Sequence, residues 1–371
     1  MAQWNVYVGT FTQEFADHIR QLNAAADIFW RGNHPGLLAT PSTGIERLSF
    51  DDETGELRLL EATKDEIASP QHVALHPTLP VLYAAEFGQP GRLSAFAIQP
   101  DGTLVRRSRV ESLGDFAVSV AVHPRGHCAY VAHWGDGVLS VIPLDAEGTP
   151  LGATAVPPLE QVGGPSARLH QASVTPGGNA LIATEIGLEE LVIFELDPDG
   201  TVRSPPVTRM DFPESSPRHV HFHPSGNVVY LVGERGSRLD VLEAEAGVPS
   251  RVLASYPSAP PGFIGKNSLS EVDLHPDGRT LYVGNRGSDR LTIFTLNKAG
   301  RVLTLAHEPC GGKSPRGVKV SPNGRHLLVA NRDSGTLVVF DIKPGGRLRP
   351  AGDPVAIPAP SSIVFHKAQE Q

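Results

Sequence analysis

Along most of this 371-residue chain, apolar and polar positions alternate with a period of two, in short runs broken by glycine, proline, asparagine and aspartate. That period predicts strands, half-buried on a pleated surface, and argues against a helical solenoid. The runs also repeat. An apolar strand ends in His, Thr or Ser followed by proline at Pro77, Pro124, Pro176, Pro224, Pro276 and Pro322, at intervals of 46 to 52 residues. A second strand follows each turn, as in Leu281-Tyr282-Val283-Gly284-Asn285, then a third, as in Leu291-Thr292-Ile293-Phe294, then a weaker fourth. Turns such as Pro276-Asp277-Gly278 and Pro322-Asn323-Gly324 supply the left-handed and Asx geometry that closes a tight hairpin.

Four strands per period of about fifty residues make a propeller blade. Six turns give six blades, and the chain ends supply a seventh. Ser362-Ile363-Val364-Phe365-His366 has the pattern of a first strand with nothing after it, and Asn5-Val6-Tyr7-Val8-Gly9-Thr10 that of a second strand with nothing before it. Gly44 to Phe50 and Leu57 to Ala62 complete that blade. The expected fold is therefore all-β: a seven-bladed β-propeller of four-stranded antiparallel blades, one closed by N- and C-terminal strands, forming a single domain over residues 1–371. Closure of the ring removes exposed sheet edges.

Composition adjusts this picture little. The 38 glycines and 33 prolines are spread along the chain and suit many turns. A net charge of −8 argues against nucleic acid and anionic membranes as partners. Two cysteines, no signal-peptide pattern and no apolar run of membrane-spanning length predict a cytoplasmic protein. Its expected partner is a small molecule, and monomer and homodimer both stay open.

The repeat also sorts side chains between the two faces of the ring. His76, His123, His223 and His275 belong to the proline turns on one face and read as structural. The start of each innermost strand and the end of each second strand lie together on the other face. Six residues before each turn proline stand Gln71, Val118, His170, Arg218, Ser270 and Arg316, with Ser361 in the split blade; one residue later come His72, Ser119, Gln171, His219, Glu271, Gly317 and Ser362. At the ends of the second strands stand Thr10, Glu86, His133, Glu185, Glu234, Asn285 and Asn331. These predict a polar ring converging on one channel mouth, the natural place for a ligand. The long 13–43 insertion, with a short helix expected over Glu14 to Ala26 and the pair Phe29-Trp30, overhangs that mouth. Connections around Pro257–Leu269 and Pro309–Pro315 bring Lys266, Asn267 and Lys313 beside Arg218, Arg286 and Arg316. Such a basic cluster in an acidic protein points to an anionic ligand.

At Gly262-Phe263-Ile264-Gly265-Lys266-Asn267, Glu271, Asn285-Arg286-Gly287, Gly311-Gly312-Lys313-Ser314-Pro315-Arg316, Asn331, Tyr7-Val8-Gly9-Thr10 and Pro217-Arg218-His219, the sequence resembles the lactonase family of seven-bladed propellers, of the 6-phosphogluconolactonase and carboxy-muconate cyclase type. The resemblance places active residues on His170, Arg218, Glu234 and Arg286, and implies lactone hydrolysis. No cofactor is expected; Glu86, Glu185, Glu234, Asn285 and Asn331 could offer oxygen ligands to Ca²⁺, but three neighbouring arginines would repel a dication, so no metal is expected either. Glu86, His133, Glu185, Lys266, Asn267, Glu271, Asn285, Arg316 and Asn331 are then expected to bind substrate. His170 or Glu234 would be general base and Arg218 the oxyanion partner. Arg286, with Lys266 or Arg316, would hold the anionic end. The sequence departs from the family at Ala117-Val118-Ser119 and in the 13–43 insertion, both at the pocket rim. A lactonising cycloisomerase with the same residues, and a non-catalytic propeller serving as scaffold or ligand-binding protein, remain alternatives.

Overall fold

Seven antiparallel sheets close into a ring in the computed structural model, which describes residues 3–12, 42–63, 65–156 and 167–369. The innermost strands are His72–Leu75, Ala117–Val122, Leu169–Val174, Pro217–Phe222, Ser268–Leu274, Pro315–Val320 and Pro360–Lys367. Each packs beside the next, and Pro360–Lys367 returns to His72–Leu75. We number the blades one to six from His72. The split blade joins Pro360–Lys367 to Gln3–Thr10, Glu46–Asp51 and Leu57–Ala62, as the sequence predicts. In blade six the outermost position is shared by Leu348–Pro350 and Val355–Ala356, both on Thr336–Ile342. The helix and aromatic pair expected within the 13–43 insertion fall outside the described residues. Its two ends are held side by side at the mouth, where Thr12 bridges Ser42 and the Phe11 amide donates to the Ala359 carbonyl.

Burial follows strand position. Second strands such as Val81–Glu86 and His326–Asn331 are buried at every residue, because neighbouring blades cover both faces. The outer strand Leu104–Glu111 alternates residue by residue between half-buried and exposed. The core is correspondingly divided into seven wedges, one at each junction between neighbouring blades. Leu328, Ala330, Val6 and Val8, for example, join blade six to the split blade.

Two repeated hydrogen bonds lock these junctions. The buried hydroxyls of Tyr7, Tyr83, Tyr130, Tyr230 and Tyr282 donate to the carbonyls of Gly102, Gly148, Gly200, Gly300 and Gly346 in the next blade. The turn histidines His76, His123, His223 and His275 donate from Nε2 to Gly126, Gly178, Gly278 and Gly324. Their structural role on the far face is thus explicit. Tyr230→Phe removes the donor to Gly300 and leaves a buried carbonyl unpaired. It is expected to lower unfolding free energy by about 1 kcal/mol in a urea titration. No helix among the described residues is long and apolar enough to cross a membrane.

Candidate active site

Regular alternation would point consecutive side chains of the innermost strands to opposite faces. It is broken at the mouth. In blades two, three, four and six the pairing with the second strand skips one residue, at Val118, His170, Arg218 and Arg316. Blade five skips Ser270 and Glu271. A bulge of this kind re-aims a side chain and is common beside functional sites. It turns His170, Arg218 and Arg316 inward and accounts for the column of residues six before the turn prolines.

The column at the ends of the second strands behaves differently from the expectation. Glu86 is bound within its own blade, by the Ala68 amide, Ser94 Oγ at 2.5 Å and Arg109 at 2.5 Å. His133 donates to the Val138 carbonyl and accepts from Ser112. Glu185 accepts from the Arg168 and Leu188 amides, and burial pushes its carboxyl up to about 7. Asn285 bonds Thr292 and Asn267, and Asn331 donates to the Cys310 carbonyl. These side chains anchor the connection or turn of their own blade. They do not form the substrate-binding ring predicted for them.

Glu234 is the exception because it occupies a different register position. Blade four carries Gly233 at the anchoring position, where an added Cβ would run into Ser215 of the connection before it. Glu234 follows one residue later, so its side chain falls on the opposite face, toward the channel. Its true counterparts are Phe11, Phe87, Trp134, Ile186, Arg286 and Arg332. Arg286 thereby joins Glu234. Arg332, only 1% exposed and bonded to Asp333 at 2.6 Å, stands in the same column and escapes the sequence reading. The signal for it lay one position beyond Asn331.

The side chains brought together form a charged cluster. Glu234 bridges Arg218 Nε and Arg286 Nη2, each at 3.0 Å. Arg218 also donates to the Ser270 carbonyl, and Arg286 to the Leu269 carbonyl at 2.6 Å. Arg316 reaches Gln71 at 2.9 Å and Ser361 at 3.2 Å, and its guanidinium lies 4.8 Å from the centre of the Phe11 ring. His219 donates from Nδ1 to Glu271 at 2.6 Å, with His170 and His72 beside it. Asn267 is a loop anchor bonded to Ser237 and Ser288, while Lys266 is exposed at the rim. Deeper in the channel, Asp273 holds Lys319 at 3.0 Å and His221 at 3.2 Å.

Electrostatics favour an anion here. Burial, then Arg286, brings Arg218 down to about 10. Burial together with Arg218, Arg286 and Arg332 pushes Arg316 well below its ordinary value. These guanidiniums repel one another; Glu234 bridges Arg218 and Arg286, and Asp333 holds Arg332. Beside the cluster lies an apolar patch, with Phe11, Phe87, Phe116 and Val118 packed together and Trp134 against them. One side of the mouth is therefore cationic and the other aromatic, a pairing suited to a small amphipathic ligand.

Three channel carboxylates make the fold acid-sensitive. Burial alone would raise Glu234, Glu271 and Asp273. Arg286 and Arg218, His219 and Arg218, and Lys319 and His221 respectively hold them down at about 2. Their folded values lie below the unfolded ones, so their stabilisation is complete above the unfolded range of about 4. It is lost as pH falls toward about 2. Melting temperatures read by circular dichroism are expected to drop across that window, and Asp273→Asn is expected to flatten the drop.

A closed seven-bladed ring with this cluster at one mouth defines a class, and residues 5–365 match the family model described as lactonase, 7-bladed beta-propeller: the chain belongs to that family. Among individual relatives, the 6-phosphogluconolactonase of Yersinia pseudotuberculosis serotype O:3 (strain YPIII) is 27% identical over 276 residues, covering 72% of this chain and 78% of the relative. The periplasmic gluconolactonase PpgL of Pseudomonas aeruginosa superposes with a TM-score of 0.85 at 25% identity, over 99% of this chain and 100% of that one. A putative 6-phosphogluconolactonase from Bacteroides fragilis NCTC 9343 shares the fold with a TM-score of 0.82 at 22% identity, over 99% and 98%.

Proposed function

We propose that the protein hydrolyses a sugar lactone carrying an anionic group, as its 6-phosphogluconolactonase relatives are named for doing. The observation that carries this reading is the pair Arg218 and Arg286 clamped on Glu234 beside Arg316. Opening a lactone builds negative charge on the ring carbonyl oxygen, and a fixed, desolvated donor stabilises it without reorganising. Arg218, 2% exposed and held by Glu234 and the Ser270 carbonyl, is such a donor. Arg286 and Arg316 can grip a phosphate or carboxylate, bidentately where geometry allows. Glu234, held at about 2 by burial opposed by its arginines, orients them and is a poor proton acceptor. The proton acceptor is then a channel histidine. Of the channel histidines, burial and Arg218 push His170 well below its ordinary value, while His219 is paired with Glu271 at 2.6 Å.

A panel of phosphorylated and unphosphorylated sugar lactones, followed by acid release, tests the reading. Turnover is expected, faster with phosphate present, and is expected to survive dialysis against EDTA. Failure to open any lactone, with muconate cyclisation intact, would replace hydrolysis by the cycloisomerase reaction.

A further inference from the structure

We propose that His219, oriented by Glu271, takes the proton from the attacking water, with Glu271 as its positioning residue. This assignment rests on the lactone reading of the mouth and goes beyond it by naming the base.

The bulge at Arg218 puts two consecutive residues to work at one site, since the pairing passes from Pro217 opposite Gly233 to His219 opposite Val232. An uninterrupted strand would send Arg218 and His219 to opposite faces. Here Arg218 meets Glu234 while His219 meets Glu271, so an oxyanion donor and an imidazole adjoin in sequence and in space. His219 is 2% exposed, and its Nδ1 proton is fixed on Glu271 Oε1 at 2.6 Å. That bond selects the tautomer with a lone pair on Nε2, which makes no hydrogen bond among the described residues. His170 lies 5.1 Å away and His72 6.5 Å away, measured between ring centres.

What separates His219 from His170 is the carboxylate. Protonating His170 adds a cation facing Arg218, Arg316 and Arg286, and no carboxylate is bonded to its ring among the described residues. Protonating His219 completes an ion pair with Glu271, which also faces His72 and Lys319. The charged and titratable groups around His219 are Glu271 from blade five, Arg316 from blade six, Arg218 on its own strand, and the imidazoles of His72 and His170. A carboxylate–imidazole pair of this kind holds the ring and stabilises its charged form.

In the step, water oxygen bonds to the lactone carbonyl carbon as one of its protons passes to Nε2, and the carbonyl π electrons move to the oxygen beside Arg218. Collapse reforms the carbonyl and breaks the bond to the ring oxygen. The imidazolium proton goes to that oxygen, giving a hydroxyl, and the new carboxylic acid releases its own proton to solvent. The water is consumed and His219 returns neutral.

Kinetics of wild type, His219→Gln, His219→Asn, Glu271→Gln, Glu271→Asp and His170→Gln on a lactone that the wild type opens, from pH 5 to 9, test the assignment. Both His219 variants are expected to lose about 10³-fold in kcat, with KM changed by less than about threefold. Glu271→Gln is expected to lose about 10²-fold and to move the acidic limb of kcat/KM to lower pH, with Glu271→Asp restoring most of both. His170→Gln is expected to keep the limb where the wild type has it. Calorimetric binding of the hydroxy-acid product identifies folded variants, and the two His219 and two Glu271 substitutions provide independent chances of one. Folded His219 variants with near wild-type kcat, or an unmoved limb in Glu271→Gln, overturn the assignment alone. A wild type inert on every lactone overturns it together with the lactone reading.

Discussion

Arg218→Ala is expected to lower kcat/KM for a phosphorylated sugar lactone by about 10²–10³-fold, the usual cost of losing one preorganised oxyanion donor. The loss should appear mainly in kcat, because the guanidinium is needed most when charge reaches the carbonyl oxygen. Arg286 still holds Glu234 at 3.0 Å, so the carboxylate is not stranded and the ring can stay folded. Arg218→Lys should recover little, since an ammonium cannot span Glu234 and the Ser270 carbonyl as the planar fork does. Initial rates of acid release, with melting curves of the same samples, measure both effects. Wild-type rates in a folded Arg218→Ala protein would remove this residue from the chemistry.

Gly317→Ala carries the largest expected structural effect. Where the innermost strand of blade six meets the split blade, a Cβ at position 317 would fall inside van der Waals contact of the Ser361 carbonyl oxygen. Backbone lies on both sides, so relief requires the two blades to separate. A Cβ at Gly9 would likewise run into Pro70 O on the opposite flank of the split blade, so the closing blade is gripped from both sides. Overpacking at such a contact costs about 1–3 kcal/mol. Displacement also carries Arg316 away from Gln71 and Ser361, so substrate affinity should fall along with stability. Urea titration and KM measured together check this, and unchanged values in both would mean that the junction is looser than its geometry.

The blade count was legible because each turn proline marks the same point in the repeat and the unfinished strands at the two ends complement each other. The inward column at His170, Arg218 and Arg316 was legible for the same reason, although its cause, a bulge, leaves no mark in composition. One register error explains most of what was missed. Glu234 looks like the partner of Glu86 and Glu185 in a list of strand ends, yet Gly233 is their equivalent. Because side chains alternate, that single offset separates loop anchors from channel residues, and it also hides Arg332. The pair His219–Glu271 occupies one column in adjacent blades, but its contact depends on how closely the ring brings the innermost strands together. The structural role of the turn histidines was readable, whereas the glycine carbonyls they bind in the next blade were not.

The most direct test of the central claim is a crystal structure of the protein with the hydroxy-acid product 6-phosphogluconate bound. Its carboxylate is expected on Arg218 and its phosphate on Arg286 and Arg316, against the aromatic patch at Phe87 and Trp134. Product bound at the far face, or outside the reach of these arginines in a protein that still opens lactones, would contradict it.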